Sequence, residues 1–181
     1  MARNRFQAIV NSIERLIQLL QPDIVVGGPA TQLPAEVLIR RGIRGVILDI
    51  DNTIVSAAEP DASPEVKAWL VQMGNHFPIW LVSNNWNTRR IRRIAADTDL
   101  PYINRAIKPS RRALRRAIAA MDLPPEGVAI VGDRIFTDVV GGNRLGLLTV
   151  FVDPLCSRRR PRCSFERTFS LLWGINLKKT L

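Results

Sequence analysis

Five short apolar runs, separated by segments of helical periodicity, leave this chain few folds to adopt. The runs are residues 43–50, Pro78-Ile79-Trp80-Leu81-Val82, a shorter stretch near 101–106, Gly127-Val128-Ala129-Ile130-Val131, and Leu147 to Val152. Helical patterns fall between them: Pro64 to about Gln72, roughly 87–96, about 110–121 and near 135–145. A further short helix, Leu33 to Arg41 with Pro34 near its start, precedes the first run. Strands that alternate with helices build βαβ units, and these build a parallel sheet. The fold class expected is α/β, a Rossmann-like three-layer sandwich with a central parallel sheet. No internal repeat or low-complexity linker breaks the pattern.

The first run ends in two acids. Asp49-Ile50-Asp51-Asn52-Thr53 follows Gly45-Val46-Ile47-Leu48 directly. Side chains alternate along a strand but splay in the loop beyond it, so two carboxylates here can converge on one reacting group. In open α/β sheets the crevice outside the carboxyl ends of the strands is where ligands bind. Two acids in such a crevice repel, which points to a bound cation and to acid–base or nucleophilic chemistry.

Three more run ends suit a phosphate site. Ser83-Asn84-Asn85 offers a hydroxyl and adjacent amides to phosphoryl oxygens. Lys108-Pro109 puts an ammonium beside the start of the helix near Ser110. Gly132-Asp133-Arg134-Ile135-Phe136-Thr137-Asp138 adds two carboxylates. Oxygens from Asp49, Asp133 and the Asp51 main-chain carbonyl are hard ligands that suit Mg²⁺.

Taken in order, Asp49-x-Asp51, Ser83, Lys108 and Gly132-Asp133-x-x-x-x-Asp138 resemble motifs I to IV of the haloacid dehalogenase (HAD) superfamily, each at the end of an expected strand. The resemblance covers about residues 43–153. It implies Asp49 as nucleophile, forming an aspartyl-phosphate, and Asp51 as general acid and then base. It implies Ser83, Asn84 and Lys108 as phosphate-binding residues, and Asp49, Asp51, Asp133 and Asp138 around Mg²⁺. Asp51 places the chain with phosphatases rather than dehalogenases; a phosphotransferase would use the same residues. The closer resemblance is to the YqeG-type, subfamily IIIA branch. It is carried by Arg41-Gly42-Ile43-Arg44-Gly45-Val46, Ser83-Asn84-Asn85 and Thr137-Asp138-Val139-Val140-Gly141-Gly142-Asn143-Arg144. That branch is related to phosphatidylglycerophosphate phosphatases, which implies hydrolysis of phosphatidylglycerophosphate to phosphatidylglycerol.

Spacing and charge bear on the substrate. Thr53 to Ser83 leaves room for one helix and one strand, and Ser83 to Lys108 likewise, so the enzyme is expected to be capless. An open site suits a large substrate that supplies its own cover. The net charge is +10, and of 26 basic residues all but Lys67, Lys108, Lys178 and Lys179 are arginine. Arginine prefers planar bidentate partners such as phosphate, so an anionic partner is expected: an anionic phospholipid and its membrane surface, or a nucleic acid. Arg89, Arg90, Arg92 and Arg93 follow Ser83, and Arg111, Arg112, Arg115 and Arg116 follow Lys108. A solvated helix face explains such runs equally well. A phosphatase for nucleic-acid ends or phosphoproteins shares the charge, although no aromatic residue lies inside either cluster to stack a base. A non-catalytic binding module of the same fold is a third reading, opposed by the intact acids and Lys108.

At 181 residues the chain has room for one domain. Residues 1–42 are expected to form an amphipathic helix and lead-in packed on or beside the core, with Phe6, Ile9, Val10, Ile13, Leu16, Ile17 and Leu20 on its apolar stripe. Residues 43–153 form the HAD core. Residues 154–181 form a basic tail with Phe165, Phe169, Leu172 and Trp173 on one side of a second amphipathic helix. Cys156 and Cys163 lack the partners of a zinc site and read as free thiols. No stretch reaches the ~20 apolar residues of a membrane span, and Asn11, Glu14 and Arg15 interrupt any signal-peptide core. The expected location is the cytoplasm, including its membrane face.

Overall fold

The structure, a computed structural model, describes residues 2–155 and 175–181. The arginines at 158–162, the apolar positions from Phe165 to Trp173 and both cysteines lie outside the described residues, as do the side chains of Phe6, Ile9 and Val10.

Six parallel strands form one sheet in the order β1-β6-β5-β2-β3-β4. They are β1 (Ile24–Val25), β2 (Gly45–Leu48), β3 (Ile79–Val82), β4 (Tyr102–Ile103), β5 (Val128–Gly132) and β6 (Leu148–Phe151). The helices are α1 (Ala2–Leu20), α2 (Ala35–Arg40), α3 (Pro64–Gly74), α4 (Thr88–Thr98), α5 (Arg111–Ala120) and α6 (Val140–Asn143), the last entered through a π-helical turn at Ile135–Val139.

Strict alternation of side chains fills both faces of the sheet. On one face Val46 and Leu48 of β2, Ile79 and Leu81 of β3, and Ala129 and Val131 of β5 pack with Trp69, Leu70, Ile91 and Ile94 from α3 and α4. On the other, Ile47, Val82, Val128 and Ile130 pack with Ala113, Leu114, Ala117 and Ile118 of α5. Residues buried on both sides explain why the strands read as continuous apolar runs. Capping is local. Ser63 Oγ accepts the Val66 N–H at 3.2 Å, with Pro64 beginning α3. Asn87 Oδ1 accepts the Arg90 N–H at 3.1 Å at the start of α4.

β1 extends the sheet beyond the expected core of residues 43–153. Ile24 and Val25 pair with Val150 and Phe151 of β6, and the chain's last residues cover the free edge. Thr180 N–H donates to Val25 O at 2.9 Å, and Val25 N–H donates to Thr180 Oγ1 at 2.8 Å. Ile175 is buried with Leu20, Val25 and Phe151. An edge strand covered in this way offers no open ladder to another chain.

Among the described side chains of α1, burial is complete only in the last turn. Leu20 is buried, while Ile13 and Leu16 are each 46% exposed. The end of α1 lies against the core, where the Asn143 amide of α6 stands within 3.2 Å of the carbonyls of Gln18, Leu19 and Gln21. Among the described residues no helix is long and apolar enough to cross a membrane.

Candidate active site

Strand order sets the site. β2 lies between β3 on one side and β5 on the other, so the chain leaves β2 toward one half of the sheet and later returns to the other. A crevice opens at such a switch point, and the polar residues at the tips of β2, β3 and β5 face it.

Lys108 is its centre. Its ammonium donates to Asp49 Oδ1 and to the Val82 carbonyl, each at 2.7 Å, and stands 2.7 Å from Asp138 Oδ1. Two of its hydrogens are committed to hydrogen bonds, and the Asp138 contact is an ion pair. All three side chains are buried. Burial alone would lower the Lys108 pKa, but the carboxylates of Asp138 and Asp49 outweigh it and hold the group protonated beyond its ordinary range. Burial pushes the Asp49 carboxyl up to about 6; Lys108 opposes that rise and Asp138 adds to it.

Asp49, Asp133 and Asp138 each offer an oxygen within 4.8 Å of the others. Three buried carboxylates so close together offer hard oxygen donors, a set that fits a divalent cation such as Mg²⁺. The shell behind them is ordered. Thr53 Oγ1 accepts the Asp133 N–H at 3.1 Å and donates to Asp133 Oδ1 at 3.3 Å. Asp138 Oδ2 accepts the Arg134 N–H at 3.2 Å. It lies so near Gly132 that a β-carbon there would fall 2.3 Å from it. That close approach accounts for the glycine before Asp133.

Asp51 is turned away from this cluster. Its Oδ2 accepts from Asn85 Nδ2 at 2.8 Å and from Ser83 Oγ at 3.4 Å, and its Oδ1 accepts from Arg90 Nε at 3.2 Å. Arg90 also donates to the carbonyls of Ser56 and Glu59, tying down the loop that follows the acids. Asn52 starts that loop at φ 66°, a conformation asparagine tolerates, and its Oδ1 accepts the Ala57 N–H at 3.1 Å.

Asp49, Ser83, Lys108, Asp133 and Asp138 therefore meet at one crevice, with Asp51 beside them. The Asn84 side chain fixes the lysine's backbone, which leaves the phosphate-binding expectation for this residue to its main-chain amide. The side-chain amide donates to Lys108 O at 2.9 Å and accepts the Lys108 N–H at 2.6 Å, so both of its ends are occupied. The arginines after Ser83 also divide. Arg90 is on Asp51 and Arg93 forms a two-armed pair with Asp61 at 2.6 Å, leaving Arg89 and Arg92 at the surface. Arg90, Asn85 and Thr53 were not assigned roles from sequence. The available signal for Arg90 was a cation in the first turn of a helix, where the dipole disfavours it. Arg144 braces rather than binds: its Nη1 donates to Pro109 O at 3.1 Å. Trp86, next to Asn85 in the chain, is exposed, with the Arg105 guanidinium over its ring. Between Asp51 and Ser83 stand only α3, β3 and connecting loops, and between Ser83 and Lys108 only α4 and β4, so no cap domain is inserted there.

A parallel sheet with carboxylates and a buried lysine gathered at its switch point has the make-up of an α/β enzyme's active site. Comparison with known proteins agrees. The HAD-hydrolase-like family model matches residues 106–154. The chain is 39% identical over 123 residues to the probable phosphatase YqeG of Bacillus subtilis (strain 168), covering 67% of this chain and 71% of that protein. It is 25% identical over 171 residues to the chloroplastic/mitochondrial phosphatidylglycerophosphate phosphatase 1 of Arabidopsis thaliana, covering 88% of this chain but only 49% of the plant protein. The crystal structure of a HAD phosphatase from Thermococcus onnurineus shares the fold at TM-score 0.53 and 15% identity, over 66% of this chain and 90% of that one. The chain belongs to the HAD superfamily, in its YqeG-type phosphatase branch.

Proposed function

We propose that this phosphatase is Mg²⁺-dependent, works through an aspartyl-phosphate on Asp49, and removes the terminal phosphate of phosphatidylglycerophosphate at a membrane surface. The observation that carries the chemistry is the separation of two neighbouring carboxylates. Asp49 is buried on Lys108 and grouped with Asp133 and Asp138, whereas Asp51 is held outside that group by Ser83, Asn85 and Arg90. Environments that differ this much assign different tasks to chemically identical groups.

Asp49 forms a bond to phosphorus as the bond to the leaving glyceryl oxygen breaks, and Asp51 gives that oxygen its proton. Asp51 then takes a proton from water, the water oxygen bonds to phosphorus, and the Asp49–phosphorus bond breaks to release inorganic phosphate. Lys108 and Ser83 hold the non-bridging oxygens while charge shifts among them. Asp49, Asp133, Asp138 and the Asp51 carbonyl would hold Mg²⁺, which would offset the repulsion between a carboxylate and a phosphate dianion.

The lipid substrate is supported by the likeness to the plant phosphatase, by the capless mouth and by the net charge of +10. The test is Mg²⁺-dependent phosphate release from phosphatidylglycerophosphate in mixed micelles, with para-nitrophenyl phosphate alongside and Asp49→Asn as the blank. Strong preference for the lipid is expected. Turnover of the small ester alone would discard the lipid, and turnover by Asp49→Asn would remove the nucleophile.

A further inference from the structure

Two large apolar side chains stand exposed at the mouth of the site. Trp86 is 66% exposed and Ile107 is 65% exposed. Trp86 follows Asn85, whose side chain bonds Asp51, and Ile107 precedes Lys108, whose ammonium bonds Asp49. Their loops are laced together: Ala106 N–H donates to Ser83 O at 3.0 Å and Arg105 N–H to Asn85 O at 3.3 Å. Ile107 has φ 55° and Arg105 φ 50°. A β-branched residue rarely adopts this left-handed conformation, and strain of this kind collects at functional sites. Here it presents isoleucine to solvent one residue from the lysine.

Beside this rim is a cleft of about 660 Å³ lined by Ser110, Arg111, Arg112, Arg115 and Arg144. The first turn of α5 holds no acid, and Arg111 and Arg112 occupy it. Cations are disfavoured there, because the exposed N–H groups of a helix start already carry positive charge. Among the described residues no carboxylate pairs with Arg111, Arg112 or Arg115. Guanidiniums gathered without counter-charges attract anions. The Arg105 guanidinium lies 5.2 Å above the Trp86 ring, so cation and aromatic share one rim.

We propose that this face docks the enzyme onto an anionic lipid bilayer, with Trp86 and Ile107 entering the interface and the α5 arginines binding lipid phosphates. The proposal rests on the lipid reading above and extends it by assigning the surface. An indole settles at headgroup depth, an aliphatic side chain enters the acyl boundary, and guanidinium matches phosphate two-armed. The bilayer would also supply the cover that a capless site lacks. A nucleic acid would satisfy the arginines but leave Ile107 without a partner.

The test is cosedimentation of the full chain with phosphatidylcholine vesicles, with or without phosphatidylglycerol, at about 0.15 M salt. Wild type is expected on the anionic vesicles only. Trp86→Ala/Ile107→Ser and Arg111→Gln/Arg112→Gln are each expected to weaken binding by about tenfold or more, as two interfacial contacts warrant. Brominated lipid should quench wild-type fluorescence, and Trp86→Phe should remove most of that quenching. The replaced side chains are exposed, so unchanged thermal midpoints verify the fold. Failure of wild type to bind, or rim variants that bind like wild type, would overturn the proposal. So would loss confined to Ile13→Ser/Leu16→Ser, or binding of oligonucleotides in place of vesicles. Micellar hydrolysis of phosphatidylglycerophosphate is scored separately: vesicle binding without it would sink the substrate reading and leave the docking surface standing.

Discussion

Arg90 Nε lies 3.2 Å from Asp51 Oδ1, and the same guanidinium ties the carbonyls of Ser56 and Glu59 to the acid it orients. One side chain from the first turn of α4 thus fixes both the second carboxylate and the loop behind it. Arg90 does not touch the reacting atoms, so its effect runs through the position of Asp51. Arg90→Ala is expected to lower kcat on a soluble phosphate ester by about 10–100-fold, the scale of a misplaced proton-transfer group, with little change in KM. Arg90→Lys should recover little, because an ammonium cannot reproduce the planar fork. Steady-state kinetics on both variants check this; full activity in Arg90→Ala would make the arginine a bystander.

Asp49 gives a pH signature. Its carboxyl is raised from 3.8 to about 6, chiefly by burial. In that window the folded protein holds a proton that the unfolded chain has released, so stability falls as pH rises through it. The contribution is fully present below the unfolded value and lost above the folded one. Relative to Asp49→Asn, metal-free wild type should lose on the order of 3 kcal/mol between about pH 4 and pH 7. Denaturant titrations in chelator across that range measure it, and a difference that does not vary with pH would contradict it. Mg²⁺ needs the ionised carboxylate, so its stabilising effect should appear at the upper end of the range and fade below about pH 6.

The legible part of this protein is the part that local chemistry dictates. Gly45 to Leu48 reads as a buried strand with acids at its tip, and the residues that the sequence singles out at the strand ends, Asp49, Asp133, Asp138 and Lys108, are ones the fold brings together. What the sequence hid depends on long-range pairing. Nothing local shows that Arg90 rather than Arg89 meets a carboxylate 39 positions away. Nor does anything local show that the Asn84 side chain clamps the Lys108 backbone 24 residues on. β1 was missed because two residues carry no periodicity. The apolar run Ile24-Val25-Val26 between Pro22-Asp23 and Gly27-Gly28 was its only trace, and its pairing with Thr180 spans 155 positions. The α1 stripe looked like an ordinary buried face, yet Ile13 and Leu16 stay exposed.

Gly132 tests the close packing behind the metal-binding acids. A β-carbon at this position meets Asp138 Oδ2 at 2.3 Å and its Cγ at 2.5 Å, and Asp138 is buried with no room to retreat. Gly132→Ala should cost about 1–3 kcal/mol through overpacking and displace a carboxylate from the cluster. Gly142→Ala offers the comparison: its β-carbon would strike Ile130 and Thr149 side chains at 2.5 and 2.6 Å, away from the acids. Both variants should be destabilised, but only Gly132→Ala should also lose Mg²⁺-dependent stabilisation in thermal melts. Equal metal responses would show that Asp138 is not a ligand.

Asn143 and the buried Leu20 join the end of α1 to the core. Asn143 Nδ2 lies 3.2, 2.9 and 2.9 Å from the carbonyls of Gln18, Leu19 and Gln21, while its Oδ1 accepts from Thr149 Oγ1 at 3.2 Å. The last carbonyls of a helix lack partners within it, and of these Gln18 O also accepts the Gln21 N–H at 3.3 Å. Among the described side chains of α1 only Leu20 is fully buried. Asn143→Ala removes the side-chain donor from the Leu19 and Gln21 carbonyls, at a cost of about 1–3 kcal/mol. Its distinctive effect should be local: amide exchange in the last turns of α1 accelerates, while turnover of a soluble ester stays near wild type because no active-site group touches Asn143. Exchange measured by mass spectrometry on peptides from residues 11–20 decides the matter. Unchanged protection there would mean that Leu20 alone anchors the helix.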